Sequence, residues 1–350
     1  MSSQKTKKIL AIQFKYFGDV VFITPALRAL KQHFPAAELH VLVAAEIAPL
    51  LENLTWITKV WAMPRKRGKA TLNQSLPFVN TLRRERFYRT VDFGGNDRGA
   101  VLSWLSGAPI RLSYAESKQK LLQKFCYSQT MSIESLPQSW VAMHLQLLSA
   151  WQVKSPSNLQ LEIKASEKKL VEAQAILPPN TVICHLATSQ PKKEWPATHW
   201  QTLYHLAKAQ GVSLIFSSGI NPRERQLLSS LNALDSTLPT LAAITDLPLF
   251  LAVLQQASLV IAGDTGPLHL AAGLGVSVIG LYGTGDSICR AAPNYPDESV
   301  VKAPSCACDS LPKLLPTCSN ATHCMSLIQP KQVMEKMQHL LNLPKVQFTH

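Results

Sequence analysis

Hydrophobic and polar positions run through this chain in two rhythms. The first is the short, mostly apolar run. Residues 8–14, 37–44, 181–186, 212–217, 258–262 and 276–281 have this form and predict strands buried on both faces of a parallel sheet. The second places apolar residues three or four apart, as at Leu27, Leu30 and Phe34, and predicts helices there and over 166–176, 200–209, 249–256 and 330–341. Residues 89–93 predict a further strand that runs into the loop Gly94-Gly95-Asn96-Asp97-Arg98, with a helix starting by Ala100. The order strand, helix, strand recurs in both halves, which is the signature of doubly wound α/β architecture. The pattern shifts at the surface helix that ends on Pro178-Pro179. The expected division is therefore 1–165 and 166–327, two Rossmann-like domains facing a central cleft, with a terminal segment 328–350.

One corner stands out. The apolar run 258–262 turns at Gly263-Asp264-Thr265-Gly266-Pro267 straight into the helical pattern Leu268-His269-Leu270. Proline fits the first helical position, and Asp264 or Thr265 can cap. The N–H groups of Thr265 and Gly266 at such a helix start suit a phosphate or diphosphate, and Gly266 allows close approach. An ordinary strand–turn–helix corner reads the same way. Ligands of open α/β sheets sit at the carboxyl ends of the strands. Asp19, Thr188 and Asp264 all follow predicted strands, so all three are candidates. The first turn lacks G-x-G-x-x-G, which speaks against NAD, and no Walker A sequence occurs.

Composition narrows the function. The chain has 350 residues, 46% hydrophobic and 16% charged, which suits a packed globular protein. Its net charge of +13 points to an anionic partner. No zinc-finger, RRM or basic-zipper signature occurs, so an anionic membrane leaflet or substrate is preferred over nucleic acid. No apolar run approaches the ~20 residues of a spanning helix, and the apolar stretch after the basic start is too short for a signal peptide. The expected location is cytoplasmic. Arg65, Lys66, Arg67 and Lys69 form a basic loop suited to phosphates or a leaflet, or simply to solvent. Seven cysteines argue against a disulfide framework. Cys306, Cys308, Cys318 and Cys324 with His323 do not have standard zinc spacing, so ordinary loop thiols are expected there.

Taken together, residues 8–25 with Gly18-Asp19 and Thr24-Pro25, 82–105 with Val91-Asp92, Gly95-Asn96 and Arg98, 187–200, 219–224 and 263–283 resemble glycosyltransferase family 9, the lipopolysaccharide heptosyltransferases. The motif Asp264-Thr265-Gly266-Pro267-x-His269 is its most specific piece. The stretch Gln13 to Asp19 is most similar to the heptosyltransferase III type.

The resemblance implies a GT-B fold, an ADP-heptose donor, inversion at the anomeric carbon, and no cofactor or metal. It also implies that the last helix packs back on the first domain. Asp19 matches the family's proposed base, a role a carboxylate in a cleft loop can fill; a helix N-cap is the competing role. Lys193, set by its distance from Trp195, matches the phosphate-binding lysine, with Lys192 one residue away as the alternative. Thr188 and Ser189 fall where hydroxyls meet the phosphates, Asp264 where the donor heptose is contacted, and Glu224 near the adenosine. His269 could reach the phosphates or be a core histidine. Gly18, Arg65, Lys66, Arg67 and Arg98 fall on the acceptor side. The absence of an Asp-x-Asp pair agrees with a diphosphate held by a lysine and a helix start. The expected partners are a phosphorylated core glycolipid and the inner face of the cytoplasmic membrane, contacted peripherally by a monomer. A family member with another nucleotide sugar, a non-catalytic binding paralogue and a nucleotide-sugar epimerase are the competing functions.

Overall fold

The mostly apolar runs become strands of two parallel sheets, with 8–14, 37–44, 181–186, 258–262 and 276–281 inside a sheet and 212–217 at an edge of the described strands. The computed structural model describes residues 6–64, 72–115, 121–133, 139–283, 299–304 and 324–342. The chain divides into two units, residues 1–164 and 165–350.

The first unit comprises β1 (Lys8–Gln13), α1 (Phe17–Phe22), α2 (Thr24–His33), β2 (Glu38–Ala44), β3 (Lys59–Met63), α3 (Leu72–Arg84), β4 (Arg89–Asp92), α4 (Asp97–Leu105), β5 (Ile110–Tyr114), α5 (Leu121–Cys126), β6 (Gln129–Met131) and α6 (Trp140–Leu148). Its described strands lie in the order β3-β2-β1-β4-β5-β6. Strand β1 pairs in parallel with β2 on one side and β4 on the other. Leu10, Ala11 and Ile12 are wholly buried because both faces of this central strand are covered. Helices α2 and α6 pack together, while α3 and α5 each pack on α4.

The expected helix around Leu27 is α2, and a separate short helix, α1, precedes it. Ile23 separates α1 from α2, and Pro25 lies in the first turn of α2, where its missing N–H has no intrahelical partner to lose. Thr24 Oγ1 donates to the carbonyl of Val21 at the break, 2.7 Å away.

The second unit comprises α7 (Glu167–Gln174), β7 (Thr181–His185), α8 (Ala197–Lys208), β8 (Ser213–Ser217), α9 (Pro222–Leu234), α10 (Leu247–Gln256), β9 (Leu259–Gly263), α11 (Gly266–Gly273), β10 (Val278–Tyr282), β11 (Val300–Lys302) and α12 (Pro330–Leu340). The described strands run β11-β10-β9-β7-β8. Helix α12 packs on α8 and β10. Its Val333, Met334 and Met337 are fully buried in this unit's core, each worth about 1.5–3 kcal/mol of apolar burial. The apolar stripe of α12 is thus spent inside the second unit.

Strand order reverses between β1 and β4 in the first sheet and between β7 and β9 in the second. These are the topological switch points, where the loops leaving adjacent strands diverge and open a crevice at the carboxyl ends. Both sheets have the doubly wound parallel form expected. Among the described residues no helix is long and apolar enough to cross a membrane.

Candidate active site

The switch point of the second unit carries a charged cluster. Asp264 directly follows β9, and α11 starts two residues later. Thr265 takes the N-cap backbone position without a side-chain capping bond, and Pro267 is the second helical residue, one later than expected. A helix leaves its first N–H groups without intrahelical partners, and its partial positive charge gathers at that end. The chain enters this turn through Gly263. A Cβ there would lie 2.8 Å from both the carbonyl oxygen of Lys193 and Cγ2 of Thr188, so glycine lets three segments meet.

Lys193 Nζ lies 2.5 Å from Asp264 Oδ2, and His269 Nε2 lies 3.4 Å from Asp264 Oδ1. Burial alone would raise the Asp264 carboxyl. The hydrogen bond and charge of His269, then Lys193, outweigh it and hold Asp264 at about 2. Of the two adjacent lysines, Lys193 is the one whose ammonium meets Asp264. It is fixed from behind: residues Pro191–Lys193 form one 3-10 turn, and the buried indole of Trp195 donates to the carbonyl of Ile328 at 3.0 Å.

Thr188 is buried after β7, and its hydroxyl donates to the carbonyl of Gln190 at 2.6 Å, while Ser189 is exposed. Glu194 and Arg223 were not singled out from sequence, yet they clamp this loop. Glu194 Oε1 accepts from the Thr188 amide at 3.2 Å and from Arg223 at 2.7 Å, and Arg223 also donates to the Thr188 carbonyl at 2.5 Å. The only sequence signal was that Arg223 adjoins Glu224. Glu224 sits in the first turn of α9, where Asn221 caps its amide at 2.9 Å. Its carboxylate lies on the face of Gly219, where a Cβ would come within 1.6 Å of Oε2. Thr188, Lys193, Asp264 and His269 thus gather at one sheet end. Glu224 and Arg223 enter from the start of α9.

The first unit's switch point is different in kind. Asp19 is the third residue of α1, beyond the N-cap, and its Oδ2 accepts the Tyr16 amide at 3.0 Å. The N-cap alternative is corrected accordingly: Asp19 bonds back to the capping residue's backbone. It is half-buried, and the adjoining Gly18 is buried. Across the switch point β4 ends on Asp92, which is fully buried. Asp92 accepts from the Gly94 amide at 2.8 Å and the Tyr127 hydroxyl at 2.6 Å. Burial drives its carboxyl up to about 6, with these hydrogen bonds opposing the rise. Gly99 is required beside it, since a Cβ would fall 2.2 Å from Oδ2. Asn96 caps α4 through the Gly99 amide at 2.9 Å. Arg98 is exposed, with its guanidinium 5.9 Å from the centre of the Phe14 ring.

Arg65, Lys66 and Arg67, and the loop residues Cys306, Cys308, Cys318 and His323, lie outside the described residues. Cys324 is buried as a free thiol.

Comparison with known proteins bears on the family and the fold. Residues 76–307 match the model of glycosyltransferase family 9 (heptosyltransferase). A lipopolysaccharide heptosyltransferase 2 from Escherichia coli K12 is 23% identical over 287 residues, covering 79% of this chain and 82% of its own. Among solved structures, a family 9 glycosyl transferase from Veillonella parvula superposes with a TM-score of 0.81 at 18% identity, over 96% of this chain and 97% of that one. The E. coli ADP-heptose lps heptosyltransferase II gives 0.73 at 17% identity, over 96% and 98%. The structures establish the shared fold, and the family model covers most of the sequence. The chain belongs to glycosyltransferase family 9, the heptosyltransferases.

Proposed function

We propose that this enzyme transfers L-glycero-D-manno-heptose from ADP-heptose to the inner core of lipopolysaccharide, with inversion and without a metal. The observation that carries the reading is the cluster of Lys193, Asp264 and His269 at the start of α11. Breaking the glycosidic bond leaves negative charge on a diphosphate, and fixed positive partners placed where that charge grows lower the barrier most. Lys193 and the first N–H groups of α11 would supply them. Asp264, held ionised, keeps the lysine in place before the donor arrives. Thr188 and Ser189 would add hydroxyl donors, and Glu224, over Gly219, would take the ribose hydroxyls of the adenosine.

Inversion needs one displacement, with the acceptor hydroxyl attacking as it loses its proton. Asp19 would take that proton; such a base contributes about 10²–10⁴ in rate. Gly18, Arg98 and the basic residues Arg65 to Arg67 would contact a phosphorylated acceptor. The heptosyltransferase III type, a monomeric state and residence on the inner face of the cytoplasmic membrane belong to the same proposal. The net charge of +13 supports a phosphate-rich glycolipid surface as partner.

The test is mass spectrometry of a heptosylated core acceptor incubated with enzyme and ADP-heptose, with and without EDTA. A gain of one heptose in both arms is expected. Transfer only from another nucleotide sugar would overturn the donor. Binding of ADP-heptose without transfer would point to a binding protein, and loss of activity in EDTA would overturn the metal-free reading.

A further inference from the structure

The outer surface of the first unit carries a group of apolar side chains that its fold does not cover. Helix α5 exposes Leu121 at 85%, Phe125 at 67% and Leu122 at 45%, and Trp104 on the last turn of α4 is 44% exposed. The Trp104 and Phe125 rings lie 5.7 Å apart, so the four form one patch on packed helices. Soluble monomers seldom leave contiguous apolar groups of this size uncovered.

Cations surround it. Lys124 is exposed on the flank of α5 beside Leu121. Directly after α4, Ser106, Gly107 and Pro109 line an open cavity of about 750 Å³ with Arg83, Arg84 and Arg86. None of the residues lining this cavity is acidic. Nearby Glu85 is engaged by Lys8 and Lys59. Arg86 holds φ at 56°, a left-handed conformation that breaks the chain away from α3 at this point.

We infer that this face, the apolar patch of α4 and α5 with its arginine-lined edge, docks the protein on an anionic lipid bilayer. Two features select a bilayer over a second protein. Lysine is depleted at protein interfaces, whereas Lys124, on the flank of the apolar group beside Leu121, can extend its ammonium to headgroups while its methylenes stay with lipid. Trp and Phe at the level of anionic headgroups, with basic residues alongside, are the composition of an interfacial surface. The inward side of α5 ties this face to the candidate acceptor loop. Gln123 donates to Asp97 at 2.9 Å and reaches the Gly95 carbonyl at 3.5 Å, in the loop just before Arg98. A bilayer held on the outside of α5 thus lies one helix away from the loop assigned to the phosphorylated acceptor. The purpose of the contact rests on the proposed glycolipid acceptor; the contact itself rests on these side chains.

Co-sedimentation of the full-length protein with phosphatidylcholine vesicles, with and without phosphatidylglycerol, tests this. The wild type should bind the anionic vesicles preferentially. Leu121→Ser/Phe125→Ser should weaken binding at least about tenfold. Arg83→Gln/Arg84→Gln/Arg86→Gln should weaken it by roughly a hundredfold at low salt and flatten its salt dependence; this second set keeps the test open if the first does not fold. Both variants should keep the wild-type rate on a lipid-free core oligosaccharide. Equal binding by wild type and both variants overturns the inference, as does a wild type indifferent to anionic lipid. A stable dimer in sedimentation velocity that the Leu121/Phe125 substitutions dissociate would overturn it in favour of a second copy. Vesicle binding with the expected variant pattern but no heptosyl transfer would leave docking standing and remove the proposed reaction.

Discussion

The two units place chemistry at the same topological point in opposite ways. In the second, polar groups are locked to each other before any ligand is present: Lys193 and His269 on Asp264, and Arg223 on Glu194. In the first, Asp92 is withdrawn into the interior under Tyr127, while Arg98 is left exposed. Asp19 is half-buried between these extremes. A site for one constant group, a nucleoside diphosphate, gains from preorganisation, because fixed dipoles need not rearrange as charge develops. A site for a large, variable acceptor gains from a rigid floor with adaptable cations above it. On the proposed reading, Gly99 against Asp92 would be that floor.

The comparison can be broken first at Lys193. Lys193→Ala should lower kcat by about 10²–10³, the cost of removing one fixed partner of a developing anion. It also leaves Asp264, among the described residues, with the His269 contact alone. Steady-state kinetics with saturating donor would read this, and a change confined to KM would assign the lysine to ground-state binding.

Gly219→Ala comes next. The new methyl cannot coexist with the Glu224 carboxylate, so that side chain must swing away. Affinity for ADP should fall about tenfold by calorimetry, with kcat at saturation nearly unchanged. Unchanged affinity would make Glu224 a helix-start carboxylate and nothing more.

A smaller effect sharpens the first unit. The folded Asp92 carboxyl lies at about 6 against an ordinary 3.8. Its contribution to stability is therefore complete below 3.8 and is lost as pH rises through 6. His144 and His185, depressed by burial to about 3 and about 4 from 6.5, act oppositely and cost stability as pH falls below 6.5. Subtracting denaturation curves of Asp92→Asn from wild type cancels the histidines. The difference should change by about 1–3 kcal/mol between pH values of about 4 and 7. A pH-independent difference would mean that Asp92 stays ionised.

Sequence patterning exposed β1, β2, β7, β9 and β10 because each is buried almost throughout and so written as a mostly apolar run. Strands β3 and β5 escaped, as did the three-residue β6 and β11: Lys59-Val-Trp-Ala-Met and Ile110-Arg-Leu-Ser-Tyr mix exposed or half-buried with buried positions. The same logic divides the site. Asp19, Thr188 and Asp264 were legible because position after a strand is a property of local sequence. Arg223 and Glu194 are 29 residues apart and become partners only through the fold, as do Asp92 and Tyr127, 35 residues apart. On the chain these look like solvated charges and a core tyrosine. Helix α12 was legible as a helix, but its period could not say which unit's core would take its buried face.

The central claim is that the first unit supplies the base while the second binds the donor on its own. Asp19→Asn tests it most directly, with ADP-heptose affinity and single-turnover heptosyl transfer measured on the same preparation. The account predicts unchanged affinity and a transfer rate lower by about 10²–10⁴. Transfer at the wild-type rate, or a loss of donor affinity that accounts for the whole decline, would contradict it.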